Sequence, residues 1–125
     1  MRAPLAVGLD LVDIARFSAV LARRPAIRER LFTDGERAYA AGLADPVPSL
    51  AARFAAKEAV MKALGVGLGA FAFPEVEVRR RESGEPHLAL SGRAAELSAE
   101  QAVRNWLVSL SHTSTAAAAF VVALS

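Results

Sequence analysis

The chain contains no cysteine, which excludes a disulfide framework and any thiolate metal site and leaves carboxylates as the hard ligands for a cation. It has no run of about eighteen apolar residues, and its start lacks a charged, then apolar, then small-residue leader. A soluble cytoplasmic protein, with no membrane contact, is the expectation. Aromatic residues are few: one Trp, one Tyr and six Phe. The hydrophobic fraction of 54% is carried largely by alanine, which adds little core volume, so part of the burial is expected from association between copies. Excess charge is small, at +2, too weak to indicate a nucleic-acid partner. The 125 residues suit one domain, 1–125, with a core that needs no staples.

Lysine is almost missing. Of fifteen basic residues, only Lys57 and Lys62 are lysines, and both lie in Arg53-Phe-Ala-Ala-Lys57-Glu58-Ala-Val-Met-Lys62-Ala-Leu-Gly65. Arginine is a planar fork and lysine a compact, mobile point charge, so the choice of lysine here suggests a phosphate contact or another lysine-specific role. The segment is rich in helix formers. Ser49 can cap its start and Gly65 its end, so a helix is predicted over 49–64. Leu50, Phe54, Met61 and Leu64 form an apolar stripe with Lys57 at its centre. The plain alternative is a surface helix in which Lys57 snorkels and Glu58 and Lys62 make an i,i+4 ion pair.

The remaining order reads as an α+β domain with an antiparallel sheet, β-α-α-α-β-β-α-β-β. A strand over 5–11 leads into a helix from Ile14 to about Ala22, with Asp13 as its cap. Arg23-Arg24-Pro25 ends it and a short helical turn follows. Thr33 and Glu36 form a capping box for a helix to about Ala41, and capping alone accounts for them. Residues 75–79 and 87–90 alternate around Ser83-Gly-Glu-Pro86 as a hairpin, with Arg79-Arg80-Arg81 as its solvated end. A helix from Ser91 or Gly92 to about Val103 precedes two strands, 106–110 and 116–124. Gly65, Gly67 and Gly69 lack the strand–helix context of a phosphate-binding loop. Six arginines between Ile14 and Arg37 make a local basic surface suited to an acidic partner. Asp10 and Glu58 are the best candidates for a two-carboxylate Mg²⁺ site completed by water and phosphate oxygens. Asp10 could equally cap the following helix.

Taken together, Gly8-Leu-Asp10-Leu-Val-Asp-Ile14-Ala-Arg16, Phe32-Thr33-x-x-Glu36, the lysine-bearing segment and Ser109-Leu-Ser-His112-Thr113 resemble the ordered motifs of the holo-[acyl-carrier-protein] synthases. These are the small bacterial class of 4'-phosphopantetheinyl transferases, and the likeness runs nearly end to end. The resemblance implies Mg²⁺-dependent transfer of the 4'-phosphopantetheine arm from coenzyme A to a serine of an apo acyl carrier protein, in support of fatty acid or polyketide synthesis. By position it implies Asp10 and Glu58 as metal ligands, with Glu58 also helping to deprotonate the serine, and Lys62 on the leaving phosphate. It places His112 on the nucleotide phosphates, with Arg53, Lys57, Gly65 and Thr113 around the coenzyme. Arg16, with Arg23 and Arg24, would dock the acidic carrier. Val12 stands where larger, two-repeat relatives carry a further acid. That fits the small class, which is similar to a trimer whose sites are shared between neighbours, so that His112 would serve an adjacent chain. A non-catalytic module binding acidic protein or nucleic acid would explain the arginines but not the lysines and Glu58 on one helix. A nucleotide hydrolase would leave the motif order unexplained.

Overall fold

A computed structural model describes residues 2–125. Among the described residues, five strands and five helices follow the expected order, the short helical turn after Pro25 forming a helix of its own, with one extra 3₁₀ turn. β1 (Pro4–Asp13) runs directly into α1 (Ile14–Arg23), where the Asp13 side chain accepts from the Arg16 backbone N–H as the N-cap. α2 (Ile27–Leu31) and α3 (Asp34–Ala41) follow, and the Thr33/Glu36 capping box is present in both directions. α4 (Val47–Leu64) is the longest helix. The 3₁₀ turn Phe73–Glu75 leads to the hairpin β2 (Val76–Arg80) and β3 (Pro86–Leu90). α5 (Gly92–Glu100), β4 (Asn105–His112) and β5 (Ala116–Leu124) complete the chain.

The strands form two antiparallel sheets, β1-β5-β4 and β2-β3. Residues 117, 119, 121 and 123 of β5 are buried beneath α4, whereas Phe120, between them, is 42% exposed. This alternation sets one sheet face against the helix and turns the other outward. On the outward face lie Leu5, Val7, Leu9 and Leu11 of β1, Phe120 of β5 and Leu107 of β4, all exposed.

α4 departs from the sequence reading in two ways. It begins at Val47, with Pro46 as N-cap and no side-chain cap. Ser49 is not the cap; its hydroxyl instead accepts from Arg53 Nη1 at 2.6 Å. Nor is one stripe buried: Ala51, Ala52, Ala55, Ala56, Ala59 and Ala63 are covered as well as Leu50, Met61 and Leu64. Alanine's small size lets sheet and hairpin approach the helix on several sides, so an amphipathic template underestimates its burial. Gly65 ends the helix in the left-handed region, φ 70°, as a glycine C-cap should.

The approach is closest at Gly8. A Cβ placed there would lie 1.9 Å from the carbonyl oxygen of Ala59 and 2.7 Å from its carbonyl carbon. Only a residue without a side chain lets β1 and α4 meet this closely, and the contact places Asp10 beside Glu58. No helix among the described residues is long and apolar enough to cross a membrane.

Candidate active site

Two faces of α4 carry its polar residues. Phe54, Glu58 and Lys62 repeat every fourth residue along one line, and Arg53 and Lys57 form a second line about 100° away. The first line borders a groove of about 820 Å³ whose lining includes Asp10 and Arg16 on the β1–α1 side, Phe54 and Glu58 on α4, and Phe17 and Phe73. Phe17, Phe54 and Phe73 pack in sequence, the first pair tilted and the second stacked, with centroid separations of 5.3 and 5.5 Å, giving the groove an apolar wall.

At the charged end, Lys62 Nζ donates to Asp10 Oδ1 at 3.0 Å and to the carbonyl of Leu9 at 2.9 Å. Lys62 thus pairs with β1, in place of an i,i+4 bridge to Glu58. Burial, and secondarily the Asp10 carboxylate, pushes the Glu58 carboxyl above its ordinary value, while Lys62 pulls it back. Lys62 bonds Asp10 and acts on Glu58 only through space, so two carboxylates stand against one ammonium here. Asp10 is no helix cap, since Asp13 fills that role. The described residues contain no cluster of three or more His, Asp or Glu that could hold a metal, so this pair would leave its remaining positions to water and phosphate oxygens.

The second line faces elsewhere. Lys57 is 0% exposed. Its ammonium donates to Glu36 Oε1 at 2.8 Å, to the carbonyl of Phe73 at 3.3 Å and to the carbonyl of Val76. Burial holds its pKa below the ordinary lysine value, although Glu36 draws it back up. The snorkelling alternative is therefore corrected: Lys57 does not reach solvent, because a buried anion and two carbonyls take all three of its N–H groups. Glu36, read as a capping residue alone, is that anion.

Arg53 is 2% exposed and borders a smaller pocket of about 370 Å³ with Tyr39, Arg80 and His112 among its lining. The Arg53 and Arg80 guanidinium carbons lie 4.5 and 5.0 Å from the Tyr39 ring centroid. Burial, with Arg80 adding repulsion, lowers the Arg53 pKa despite Glu36. Its Nε is buried without a hydrogen-bond partner among the described residues. Arg80 is exposed, as the solvated charged end predicts, and its guanidinium also covers the Tyr39 ring. Its only sequence signal was the alternation of β2, which could not reveal that Tyr39 lay opposite.

The chain does not bring His112 to the two carboxylates. His112 pairs with Ala117 on β5, and Ala117 pairs with Val12 on β1, so two strand spacings, about 10 Å, separate the His112 backbone from β1. Thr113 Oγ1 accepts from the Thr115 and Ala116 N–H groups, closing the β4–β5 turn. Gly65 has open space where a side chain would stand. Arg16 is exposed at the groove, while Arg23 and Arg24 are exposed at the far end of α1.

Comparison with known proteins identifies the family. The family model of the 4'-phosphopantetheinyl transferase superfamily matches residues 6–123. The chain is 46% identical over 119 residues to a holo-[acyl-carrier-protein] synthase of Streptomyces griseus, covering 95% of this chain and 97% of that protein. The crystal structure of holo-[acyl-carrier-protein] synthase from Neisseria meningitidis superposes with a TM-score of 0.88 at 30% identity, over 97% of this chain and 98% of that one. The Helicobacter pylori synthase, solved in complex with coenzyme A, gives 0.81 at 29% identity over 94% and 98%. With a family match over nearly its whole length and the groove at the Asp10–Glu58 pair, the chain belongs to the 4'-phosphopantetheinyl transferase superfamily and, within it, to the holo-[acyl-carrier-protein] synthases.

Proposed function

We propose that this chain is a cytoplasmic, magnesium-dependent holo-[acyl-carrier-protein] synthase that moves the 4'-phosphopantetheine arm of coenzyme A onto a serine of an apo acyl carrier protein, leaving adenosine 3',5'-bisphosphate. The observation that carries this reading is the Asp10–Glu58–Lys62 cluster at the mouth of an apolar groove. The test is to incubate the protein with coenzyme A, Mg²⁺ and apo carrier and to follow the carrier by mass spectrometry. Addition of the phosphopantetheine mass is expected, and no gain on a competent carrier would refute the reading.

In this reaction the serine oxygen bonds to the pantetheine-side phosphorus as the bond from that phosphorus to the bridging oxygen breaks. The adenosine-side phosphate leaves with the electron pair. Asp10 and Glu58 would hold Mg²⁺, which when bound neutralises charge on the pyrophosphate oxygens. Glu58, raised above the ordinary carboxylate range, is a better proton acceptor for the serine hydroxyl than an exposed glutamate. Lys62, with its side chain 55% exposed, can swing from Asp10 to the departing phosphate, where its charge counts most as negative charge develops. The aromatic wall of Phe17, Phe54 and Phe73 suits the apolar parts of the pantetheine arm. Arg16, exposed on the groove rim, is placed to meet an acidic carrier, with Arg23 and Arg24 extending that basic surface along α1.

The pocket of Arg53, Arg80 and His112 suits the nucleotide phosphates, since two guanidinium groups converge there with no carboxylate on its lining. One chain holds this pocket away from Asp10 and Glu58, so we place the complete site between two copies in a homotrimer. The outward apolar sheet face, with Leu5, Val7, Leu9, Leu11, Leu107 and Phe120, supports such a contact, because exposed apolar surface of this kind marks an interface.

A further inference from the structure

Lys57 and Glu36 make the one ion pair among the described residues in which both side chains are fully buried. Each is fully engaged. Besides Lys57, Glu36 accepts from the Thr33 N–H at 3.0 Å and from the Val78 N–H at 2.9 Å. The pair therefore ties the start of α3, the middle of α4 and strand β2 together, and through the Phe73 carbonyl it also fixes the groove wall.

Stability alone does not explain such a pair. Desolvating two charges costs about as much as their attraction returns, and apolar replacements of both partners are often neutral or better. What the pair supplies is direction. α4 meets its neighbours through alanines, whose shallow relief specifies rotation about the helix axis poorly. Gly8 fixes how near β1 and α4 come, but not how α4 is turned. Lys57 immediately precedes Glu58 in the chain, so an anchor on Lys57 sets the angle at which Glu58 leaves the helix. A carboxylate roughly 6 Å from the axis moves about 2 Å for a turn of about 20°.

We infer that the Glu36–Lys57 pair is a positioning device: it sets the rotation of α4, so that Glu58 faces Asp10, and it holds Phe73 against the groove. This rests on the proposed role of Glu58, and it assigns to the Phe32-Thr33-x-x-Glu36 segment a task beyond capping α3.

The test is the double variant Glu36→Gln/Lys57→Met, which removes both charges with little change of volume. Three quantities are compared with wild type: the thermal transition, kcat and KM in the transfer assay, and Mn²⁺ binding by electron paramagnetic resonance with coenzyme A present. The expected result is a folded protein whose kcat falls about 10–100-fold and whose Mn²⁺ affinity falls about tenfold, with KM for the carrier within about threefold because Arg16 is untouched. A folded variant with kcat and Mn²⁺ binding within about twofold of wild type overturns the inference, whatever its thermal transition. Should the double variant not fold, Glu36→Gln alone, measured where circular dichroism shows it folded, is judged by the same two quantities. Loss of wild-type transfer would refute the reaction, whereas Mn²⁺ binding would still report on Glu58.

Discussion

Gly8→Ala is the sharpest probe of how the fold builds the site. The added methyl would sit 1.9 Å from the Ala59 carbonyl oxygen and 3.2 Å from the Ala63 nitrogen. Ordinary carbon–oxygen contact begins near 3.2 Å, so β1 and α4 must separate by about 1.3 Å, and both obstacles are backbone atoms that no rotamer change can clear. Overpacking of this kind costs about 1–3 kcal/mol or more, which for a chain of this size lowers the thermal midpoint by roughly 4–12 °C. The same displacement falls between Asp10, two residues along β1, and Glu58, adjacent to Ala59. A misplacement of about 1 Å at a reacting group can cost on the order of 100-fold in rate. The assays are thermal unfolding and initial rates of carrier modification at a temperature where the variant is fully folded. A loss in kcat larger than the unfolded fraction explains is the expected outcome. Wild-type midpoint and rate together would show that the close approach at Gly8 does not position the carboxylates.

Three further outcomes follow from the geometry. Glu58→Gln should abolish transfer yet raise the metal-free thermal midpoint at pH 7–8. The folded-state pKa of Glu58 lies above its unfolded value, so its contribution to stability is present below pH ~4.3 and lost as pH rises through the folded value. The gain should therefore shrink as the scans are repeated toward pH 4, and an equal gain at both ends would contradict the assignment. Arg16→Ala should raise KM for the carrier several-fold, more steeply at low salt, and leave coenzyme A binding by calorimetry unchanged; equal loss of both would refute the docking role. Glu58→Gln and His112→Ala chains, each inactive alone, should recover about a quarter of wild-type activity when unfolded and refolded together, because random mixing in a shared-site trimer gives one site in four both intact halves. No recovery would refute sharing.

Local chemistry is what made much of this molecule legible in its sequence. Asp13 before Ile14, Thr33 three residues ahead of Glu36, and Gly65 after Leu64 are signals that lie next to the structure they create, and each cap is present. Period-two alternation located the hairpin in the same way. The failures share a different cause. Lys57 finds its anion 21 residues earlier and its two carbonyls 16 and 19 residues later, distances over which no periodicity speaks. Arg80 is exposed as its run predicts, but no local pattern announces that β2 carries its guanidinium onto Tyr39. Lys62 had a local partner in Glu58 and took Asp10, 52 residues away.

That last exchange bears on the chemistry. A Glu58–Lys62 pair on one helix would have neutralised the carboxylate most needed for a cation or a proton. Because β1 presents Asp10 at the level of Lys62, the ammonium is drawn off and Glu58 is left partly desolvated with no hydrogen-bonded cation beside it, which is why its pKa rises. The lysine is then stored on the carboxylate that a metal would claim. In the proposed reaction Asp10 would help hold the metal, and Lys62, its side chain 55% exposed, would be the cation with the reach to leave Asp10 for a phosphate.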